Sequence, residues 1–443
     1  DTVGTEINPV PFDGYPNLHA LLKCRTALSE ACSRAAWAKF DITIPSAYFC
    51  WAFGRTDRQS LWWSLAPTNE DPRPQDLLNW PGQMDDATSR TDADVGVLLS
   101  KTTRDLRYDD GYYFSEFEGW LQSLLLQPQE VQVVLESRLT ARPGPLDRLR
   151  LLVLPNVTAL SEEAAAALRR YVEGGGKVLL TVDAGTLGPD GEPAAEPLFE
   201  LAGVTLAEAT TPPQPADLKI GPPNGTDAGP AGLGEPLGDV TLNAEHRRAA
   251  VAAGTDVVLD MSVEGEELPL LTRRRVGEGE VWYLAAKLGP LAFEDRQLSS
   301  HYRKDGFRPP EDARAIEVIQ QVARLALGDT PAFRVDGAPR GLLASVYRAE
   351  HDGRPARAIH LLNCSGRDLQ AGDPVEFDRD SPPPMPPLPE MTVVLPGQVS
   401  AAVLASPELG APVALALAPG EEATRITIPA GAFSTYGVIW ADD

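Results

Sequence analysis

Strands and helices alternate through the middle of this 443-residue chain. Short apolar runs, typical of buried strands, occur at 95–99, 131–135, 149–154 and 177–182. Helical periodicity fills 114–126 and 161–172, where Ser161 can cap the second helix and the glycines at 174–176 can end it. Repeated β-α-β order requires a parallel sheet covered by helices. The pattern therefore predicts an α/β domain over residues 91–330.

The rest of this domain and the region after it follow other patterns. Residues 184–245 are rich in Pro, Gly and Ala, which predicts a long irregular excursion. A hairpin is predicted across 277–279, and a helix over 312–327 closes the domain. Residues 331–443 show short alternating strands separated by turn residues, with a stiff proline loop at 382–388. This last region is predicted to be a small antiparallel β-sandwich.

The first 90 residues carry a shorter alternation. An apolar strand gives way to a proline loop just after Glu6, and helical periodicity then covers 18–40. The apolar run at 47–53, which contains Trp51, is predicted to be a second buried strand. This order resembles that of the last two strands of a (β/α)8 barrel whose opening strands are missing. The predicted domains are 1–90, the C-terminal part of a catalytic barrel; 91–330, the α/β domain; and 331–443, the β-sandwich.

Composition limits the partners of the chain. Lys and Arg total 39 against 63 Asp and Glu, a formal charge of −24. Such a surface repels phosphate backbones, so no nucleic-acid partner is expected, although acidity also simply favours solubility. No apolar run approaches the roughly 18–20 residues of a membrane helix, so no membrane is expected either. The cysteines lack CxxC spacing, which favours reduced thiols and a cytoplasmic location.

Glu6 is the candidate catalytic residue. Glycoside hydrolysis generally uses two carboxylates, about 5–5.5 Å apart in retaining enzymes, at the carboxyl ends of barrel strands. Glu6 lies at such a strand end, and the alternative is a solvated glutamate. The candidate sugar-stacking residues are Trp51, Trp62 and Trp63, for which the alternative is an ordinary place in the core.

Two other chemistries are excluded by the sequence. Residues 174–177 (Gly-Gly-Gly-Lys) follow a helix and precede a strand, the reverse of the order in a phosphate-binding loop. The α/β domain would suit a class I glutaminase, but no cysteine lies between 91 and 330. The histidines of the chain show no metal-ligand spacing, so neither a metal nor another cofactor is predicted.

Several motifs of the middle domain occur together, at 95–100, 117–120, 152–157, 171–176 and 277–279. In this combination the chain resembles family 42 glycoside hydrolases, the β-galactosidase type. The resemblance implies a catalytic barrel, a flavodoxin-like trimerisation domain without the glutaminase nucleophile, and a small C-terminal β domain. It also implies that Glu6 occupies the nucleophile position and that Trp51 lies on the eighth strand.

The chain departs from the family pattern in its first region. Six barrel strands, the acid/base residue and the family's cysteine metal cluster are absent, and two strands cannot close a barrel. One hypothesis is therefore the C-terminal portion or subunit of a β-galactosidase-like retaining enzyme. It would need an N-terminal barrel chain or fragment, act on a carbohydrate and form a homo-oligomer, a trimer. The other is a non-catalytic oligomerisation or carbohydrate-binding protein that retains a barrel remnant.

Overall fold

A computed structural model of the chain describes residues 3–7, 15–32, 36–40, 47–63, 76–77, 79–86, 88–107, 112–206, 214–221, 240–293, 312–328, 332–365 and 385–443. Only the backbone is described for 3–7, 15–17, 38–40, 47, 61–63, 112 and 214. The described residues form a mixed α/β protein with a parallel sheet, a large mixed sheet and antiparallel sheets. The predicted fold class is confirmed at this level.

The first region is a small parallel sheet with two helices. Its elements are, in chain order, β1 (Val3–Ile7), α1 (Tyr15–Cys32), β2 (Ala36–Phe40), α2 (Ala47–Thr56), β3 (Ser60–Trp63) and β4 (Arg90–Thr91). Strands β1, β2 and β3 pair in that order, all parallel. β4 instead joins a sheet of the C-terminal region. Helix α1 packs against β1 and β2, and α2 packs against β3.

Two predictions for this region are wrong. The helix predicted over 18–40 ends at Cys32, and its last predicted residues form β2. The run 47–53, predicted to be a strand, lies in helix α2. This helix packs against β3 on one side and against the C-terminal region on another, so it has no polar stripe. When a segment is buried on several sides, its sequence is apolar throughout and shows neither the helical nor the strand periodicity of polar residues. A helix and a strand then cannot be told apart from the sequence pattern.

The middle region contains a nine-stranded mixed sheet, a separate two-stranded sheet and helices. Its strands are β5 (Val95–Leu99), β6 (Val131–Leu135), β7 (Leu151–Leu154), β8 (Lys177–Thr181), β9 (Val204–Leu206), β10 (Gln214–Gly221), β11 (Val240–His246), β12 (Ala249–Val251), β13 (Thr255–Val263), β14 (Glu266–Val276) and β15 (Gly279–Leu284). Its α-helices are α3 (Lys101–Leu106), α4 (Tyr112–Leu125), α5 (Glu162–Glu173), α6 (Leu198–Leu201), α7 (Gly289–Ala292) and α8 (Ala313–Leu327). Short 3-10 turns lie at Glu136–Arg138 and Pro145–Asp147.

The parallel half of this sheet matches the prediction. Strands β15, β8, β7, β5 and β6 are parallel neighbours, and all four predicted strands are present. Ser161 caps α5 by accepting a hydrogen bond from the amide of Ala164, as its position predicted. The hairpin across 277–279 joins β14 to β15.

The other half of the sheet corrects a prediction. Strands β14, β13, β10 and β11 extend it with antiparallel pairs, and β9 pairs with β12. β9, β10 and all of β11 except His246 fall within 184–245, the window that the composition predicts to be irregular. Buried and exposed residues alternate in β11, with Leu242 and Ala244 inside. The Pro- and Gly-rich composition of the whole window hid these short alternating runs.

The C-terminal region consists of antiparallel sheets, as predicted. Its strands are β16 (Arg334–Asp336), β17 (Leu342–His351), β18 (Arg354–Asn363), β19 (Met391–Pro396), β20 (Ala401–Ala405), β21 (Val413–Ala414), β22 (Ala416–Pro419), β23 (Ala423–Ile428) and β24 (Tyr436–Asp442). One sheet has the order β16-β19-β23-β22 and the other has the order β21-β20-β24-β18-β17-β4.

The six-stranded sheet is buried on both faces. Alternate residues such as Ala344, Ile359 and Ile439 pack against the four-stranded sheet. The residues between them, including Tyr347 and Trp440, pack into the core that the first and middle regions share. The C-terminal region is therefore joined to the rest of the chain by a continuous apolar interior rather than by a linker.

Candidate active site

The backbone register of the first sheet places Glu6 in a row with two residues of the neighbouring strands. Glu6 of β1 pairs with Lys39 of β2, and Lys39 pairs with Trp62 of β3. Each of these positions is one residue from the end of its strand. Trp63 lies in the next row, beside Phe40. Glu6 and Trp62 thus occupy one level near the carboxyl ends of parallel strands.

Trp51 does not belong to this row. It lies on α2, its side chain is 1% exposed, and it packs edge-to-face against Trp80 and Tyr436 at centroid distances of 5.6 and 5.3 Å. Its placement on the eighth strand is therefore wrong. Tyr48, one helical turn earlier, stacks on it at 6.0 Å. These contacts favour the alternative of a core tryptophan.

A buried ion-pair network fixes α1 against the other two regions. Lys23 donates to Glu130 at 2.5 Å and to Ser345 of β17 at 3.0 Å. Asp57, just after α2, lies 3.8 Å from Lys23 and 2.8 Å from Nδ1 of His19. All these side chains are buried. Burial, which the nearby ammonium of Lys23 offsets in part, raises the pKa of Glu130 to about 7.

Two further ion pairs hold the end of α2. Arg55 makes a two-point pair with Asp86, at 2.6 and 2.7 Å. Arg58 donates to Glu30 of α1 at 2.7 Å, and the same carboxylate accepts a hydrogen bond from the amide of Thr91 in β4. Two-point guanidinium–carboxylate pairs fix orientation as well as distance. The helices behind the first sheet are thus held rigidly by partners that are distant in the sequence and carry no local sequence signal.

An open cavity of 810 Å³ lies between this region and the C-terminal sheets. Tyr48, Trp80, His351 and Trp440 contribute aromatic groups to its wall, and Glu408 lies beside them. The sequence analysis did not single out this set. Trp440 lies in an apolar strand near the end of the chain, and nothing local in the sequence indicates that it meets residues 48 and 80.

Within the described residues, no three or more His, Cys, Asp and Glu side chains are grouped as a metal site would require. All four cysteines lie in described residues, and no disulfide joins any two of them. Within the described part of the chain, none of the helices combines the length and apolarity needed to span a bilayer.

The middle region matches a known domain. Residues 102–304 match the family model of the beta-galactosidase trimerisation domain. This match covers α3 to α7 and most of the nine-stranded sheet. The resemblance predicted from the motifs is confirmed: this part of the chain is similar to the trimerisation domain of β-galactosidases. None of the curated protein sequences matches the chain.

Solved β-galactosidases have a similar fold. Gan42B, a GH42 beta-galactosidase from G. stearothermophilus, superposes on all of this chain with a TM-score of 0.60 and 11% identity. The enzyme from Rahnella sp. R3 gives a TM-score of 0.53 over 97% of the chain, with 12% identity. The enzyme from the haloarchaeon Halorubrum lacusprofundi gives 0.51 over 100%, with 13% identity. This chain spans about 60% of the length of each of these structures. It has the fold of that part of the family 42 glycoside hydrolases.

Proposed function

We propose that this chain is the C-terminal portion or subunit of a β-galactosidase-like retaining glycoside hydrolase, with Glu6 as the nucleophile. The observation that carries the proposal is the row formed by Glu6, Lys39 and Trp62 near the carboxyl ends of three parallel strands. Barrel enzymes take their catalytic residues from this end of their strands. A β-galactosidase trimerisation domain follows in the same chain, which supports the assignment to this class of enzyme.

The catalytic barrel would be completed by an N-terminal chain or fragment. Among the described residues, β1 and β3 each pair with β2 alone, so the outer edge of each strand is open to further strands. Paired edges are the stable arrangement for such strands. The added part would bring the acid/base carboxylate to about 5–5.5 Å from Glu6, the separation of retaining enzymes.

The reaction would follow the two steps of retention. Glu6 attacks the anomeric carbon while the acid/base carboxyl group protonates the leaving oxygen, which gives a covalent glycosyl-enzyme. The acid/base group then removes a proton from water, which attacks the same carbon and releases Glu6. The working assembly would be a trimer through the middle domain, and cysteines that form no disulfide favour a cytoplasmic location.

The two tryptophans of β3 have different roles in this proposal. Successive residues of a strand alternate between its faces, so Trp62 and Trp63 do not both line one cleft. Trp62 shares the row of Glu6 and is proposed to stack on the sugar, whereas Trp63 is proposed to be structural. Replacing Trp62 by Ala should raise KM far more than replacing Trp63, whose main effect should be on stability.

Copurification and a nucleophile variant test the proposal. Native material should contain a barrel-forming partner of about 200–300 residues. In that assembly, Glu6→Gln should lower turnover of a β-galactoside by several orders of magnitude. Glu278→Gln, in an exposed turn of the middle domain, is the matched control and should leave it unchanged. Near-normal turnover by the Glu6 variant would remove its assigned role.

The turnover assay also distinguishes the proposed enzyme from the non-catalytic alternative. A stable oligomer that binds saccharide but does not hydrolyse it, in the presence of every natural partner, would favour an oligomerisation or carbohydrate-binding protein. Turnover that depends on Glu6 would exclude that alternative.

A further inference from the structure

The cavity between α2 and the C-terminal sheets is a second candidate ligand site. Its described lining comes from Tyr48 of α2, the stretches 76–77 and 80–83, the end of β17 with the residue after it (350–352), the end of β20 with the loop after it (403 and 405–412), and Trp440 of β24. Its volume of 810 Å³ lies within the range of about 300–1,000 Å³ that small-ligand sites occupy. No part of it belongs to the row that contains Glu6.

The wall of this cavity is fixed before any ligand arrives. Glu408 accepts hydrogen bonds from the amide and hydroxyl of Ser434, at 2.6 and 2.7 Å, and from the amide of Thr435 at 2.8 Å. The hydroxyl of Tyr48 also donates to Glu408, at 2.8 Å, which ties α2 to the loop. These bonds outweigh burial and hold the pKa of Glu408 below its usual value. A preformed wall lowers the ordering cost of binding.

The aromatic groups of the wall are also held in place. The ring of His351 stacks on Trp440 with a centroid distance of 4.7 Å and an interplanar angle of 10°. Trp80 packs edge-to-face against Tyr436 at 6.2 Å and remains partly exposed to the cavity. His351 and Tyr48 are partly exposed there as well. Flat rings that are both fixed and accessible suit a ligand with an apolar face.

The charges at the rim restrict the ligand further. Asp76, Glu350 and Asp352 line the cavity with exposed carboxylates, and among the described residues that line it there is neither Lys nor Arg. Anionic ligands such as phosphorylated or acidic sugars are therefore repelled. A neutral molecule with many hydroxyl donors can satisfy the carboxylates and place its apolar face on the rings.

We propose that this cavity binds a neutral oligosaccharide outside the catalytic cleft. The choice of a saccharide over an organic cation rests on the proposed function, because the chain would then act on sugars elsewhere. The cavity would hold a neighbouring part of the substrate or a second saccharide and so raise the local concentration of substrate. The ligand is held by stacking and by hydroxyl–carboxylate hydrogen bonds.

Isothermal titration calorimetry with galactotriose tests the proposal on the 443-residue chain carrying Glu6→Gln, alone and with its barrel-forming partner. Gly410→Arg is the blocking variant, because Gly410 lines the cavity and a Cβ there has nothing within 4 Å, so a long side chain can be added at the wall without a clash. Gly221→Arg is the matched control: that position is equally open and lies on β10. We expect at least tenfold weaker binding for the Gly410 variant and unchanged binding for the control.

Salt and a second ligand decide between the ligand classes. Saccharide binding should change little with added NaCl, whereas binding of spermidine would weaken strongly. Spermidine binding without galactotriose binding, or galactotriose binding unaffected by Gly410→Arg, would overturn the proposal. So would the absence of galactotriose binding. Turnover by the assembly with Glu6 intact is measured separately. Absence of binding at the cavity would therefore leave the proposed catalysis standing, and absence of turnover would leave the proposed binding site standing.

Discussion

Lys23 on α1 donates a 2.5 Å hydrogen bond to the carboxylate of Glu130, 107 residues further along the chain. The same ammonium reaches the hydroxyl of Ser345 on β17. The other oxygen of Glu130 accepts a hydrogen bond from the amide of Val346 at 2.8 Å. A single buried carboxylate thus joins the first, middle and C-terminal regions. A buried ion pair contributes little net stability, but removing one partner leaves an uncompensated buried charge.

Glu130 should make the protein less stable as the pH rises. Its pKa is raised from 4.5 to about 7, chiefly by burial. Between these values the folded state binds a proton that the unfolded state has released, so this stabilisation is full below about pH 4.5 and is lost as the pH rises through about 7. The free energy of unfolding of the wild type minus that of Glu130→Gln should therefore fall across this window, by on the order of 3 kcal/mol. Urea denaturation at several pH values measures it, and a constant difference would contradict the assignment.

His360, in contrast to Glu130, should make the protein more stable as the pH rises. It is 1% exposed, and its Nδ1 lies 2.7 Å from the hydroxyl of Tyr436. Burial first, and then the positive charges of Arg55 and Lys23, lower the pKa of His360 well below 6.5. Below pH 6.5 the unfolded state binds more protons, so stability is lost as the pH falls. The free energy of unfolding of the wild type minus that of His360→Gln should therefore rise with pH up to about 6.5 and then level off. A difference that falls over the same range would contradict this.

The middle region could be predicted from the sequence because its signals are local. Buried parallel strands are continuously apolar, and helix caps lie at the ends of the segments that they stop. The glycines at 174–176 and 277–279 also have a physical reason. A Cβ at Gly279 would lie 2.1 Å from the carbonyl oxygen of Gly176, so β15 and the end of α5 approach each other at backbone distance.

The first region and the site could be predicted only in part. Glu6 lies on a strand as expected, but Trp51 lies on a helix because α2 is buried on several sides and shows no period. The Lys23–Glu130 pair and the contact of Tyr48 with Glu408 join residues more than a hundred positions apart. Such contacts depend on how the three regions pack, and one sequence carries no local signal for that.

Glu408 should be worth more to stability than the tyrosine that binds it. Tyr48→Phe removes one hydrogen bond and should cost about 1 kcal/mol. Glu408→Ala leaves the amides of Ser434 and Thr435 without their acceptor, so it should cost about 2–3 kcal/mol. Glu421→Ala, at an exposed position, is the control and should cost almost nothing. Unfolding midpoints in urea test this order, and equal costs for the Tyr48 and Glu408 variants would contradict it.

Gly119 on α4 should tolerate no larger side chain. A Cβ there would lie 2.1 Å from the carbonyl oxygen of Gly289 and 2.3 Å from its Cα, at the start of α7. The amide of Gly289 also donates to Glu116, one turn before Gly119, at 2.7 Å. Any shift that relieves the clash therefore strains this buried hydrogen bond. Gly119→Ala should lower the free energy of unfolding by about 3 kcal/mol or more.

The control for this prediction is a glycine without such a neighbour. Gly221→Ala adds the same methyl group where nothing lies within 4 Å, so its cost should be below about 1 kcal/mol. Thermal and urea unfolding of both variants measure the difference. Equal stability of the two variants would mean that α4 and α7 separate freely, and the close approach of Gly119 and Gly289 would then contribute nothing to the fold. A selective loss in the Gly119 variant would show why the Phe-Glu-Gly-Trp motif at 117–120 requires a glycine: it is the point where a helix backbone touches the start of another helix.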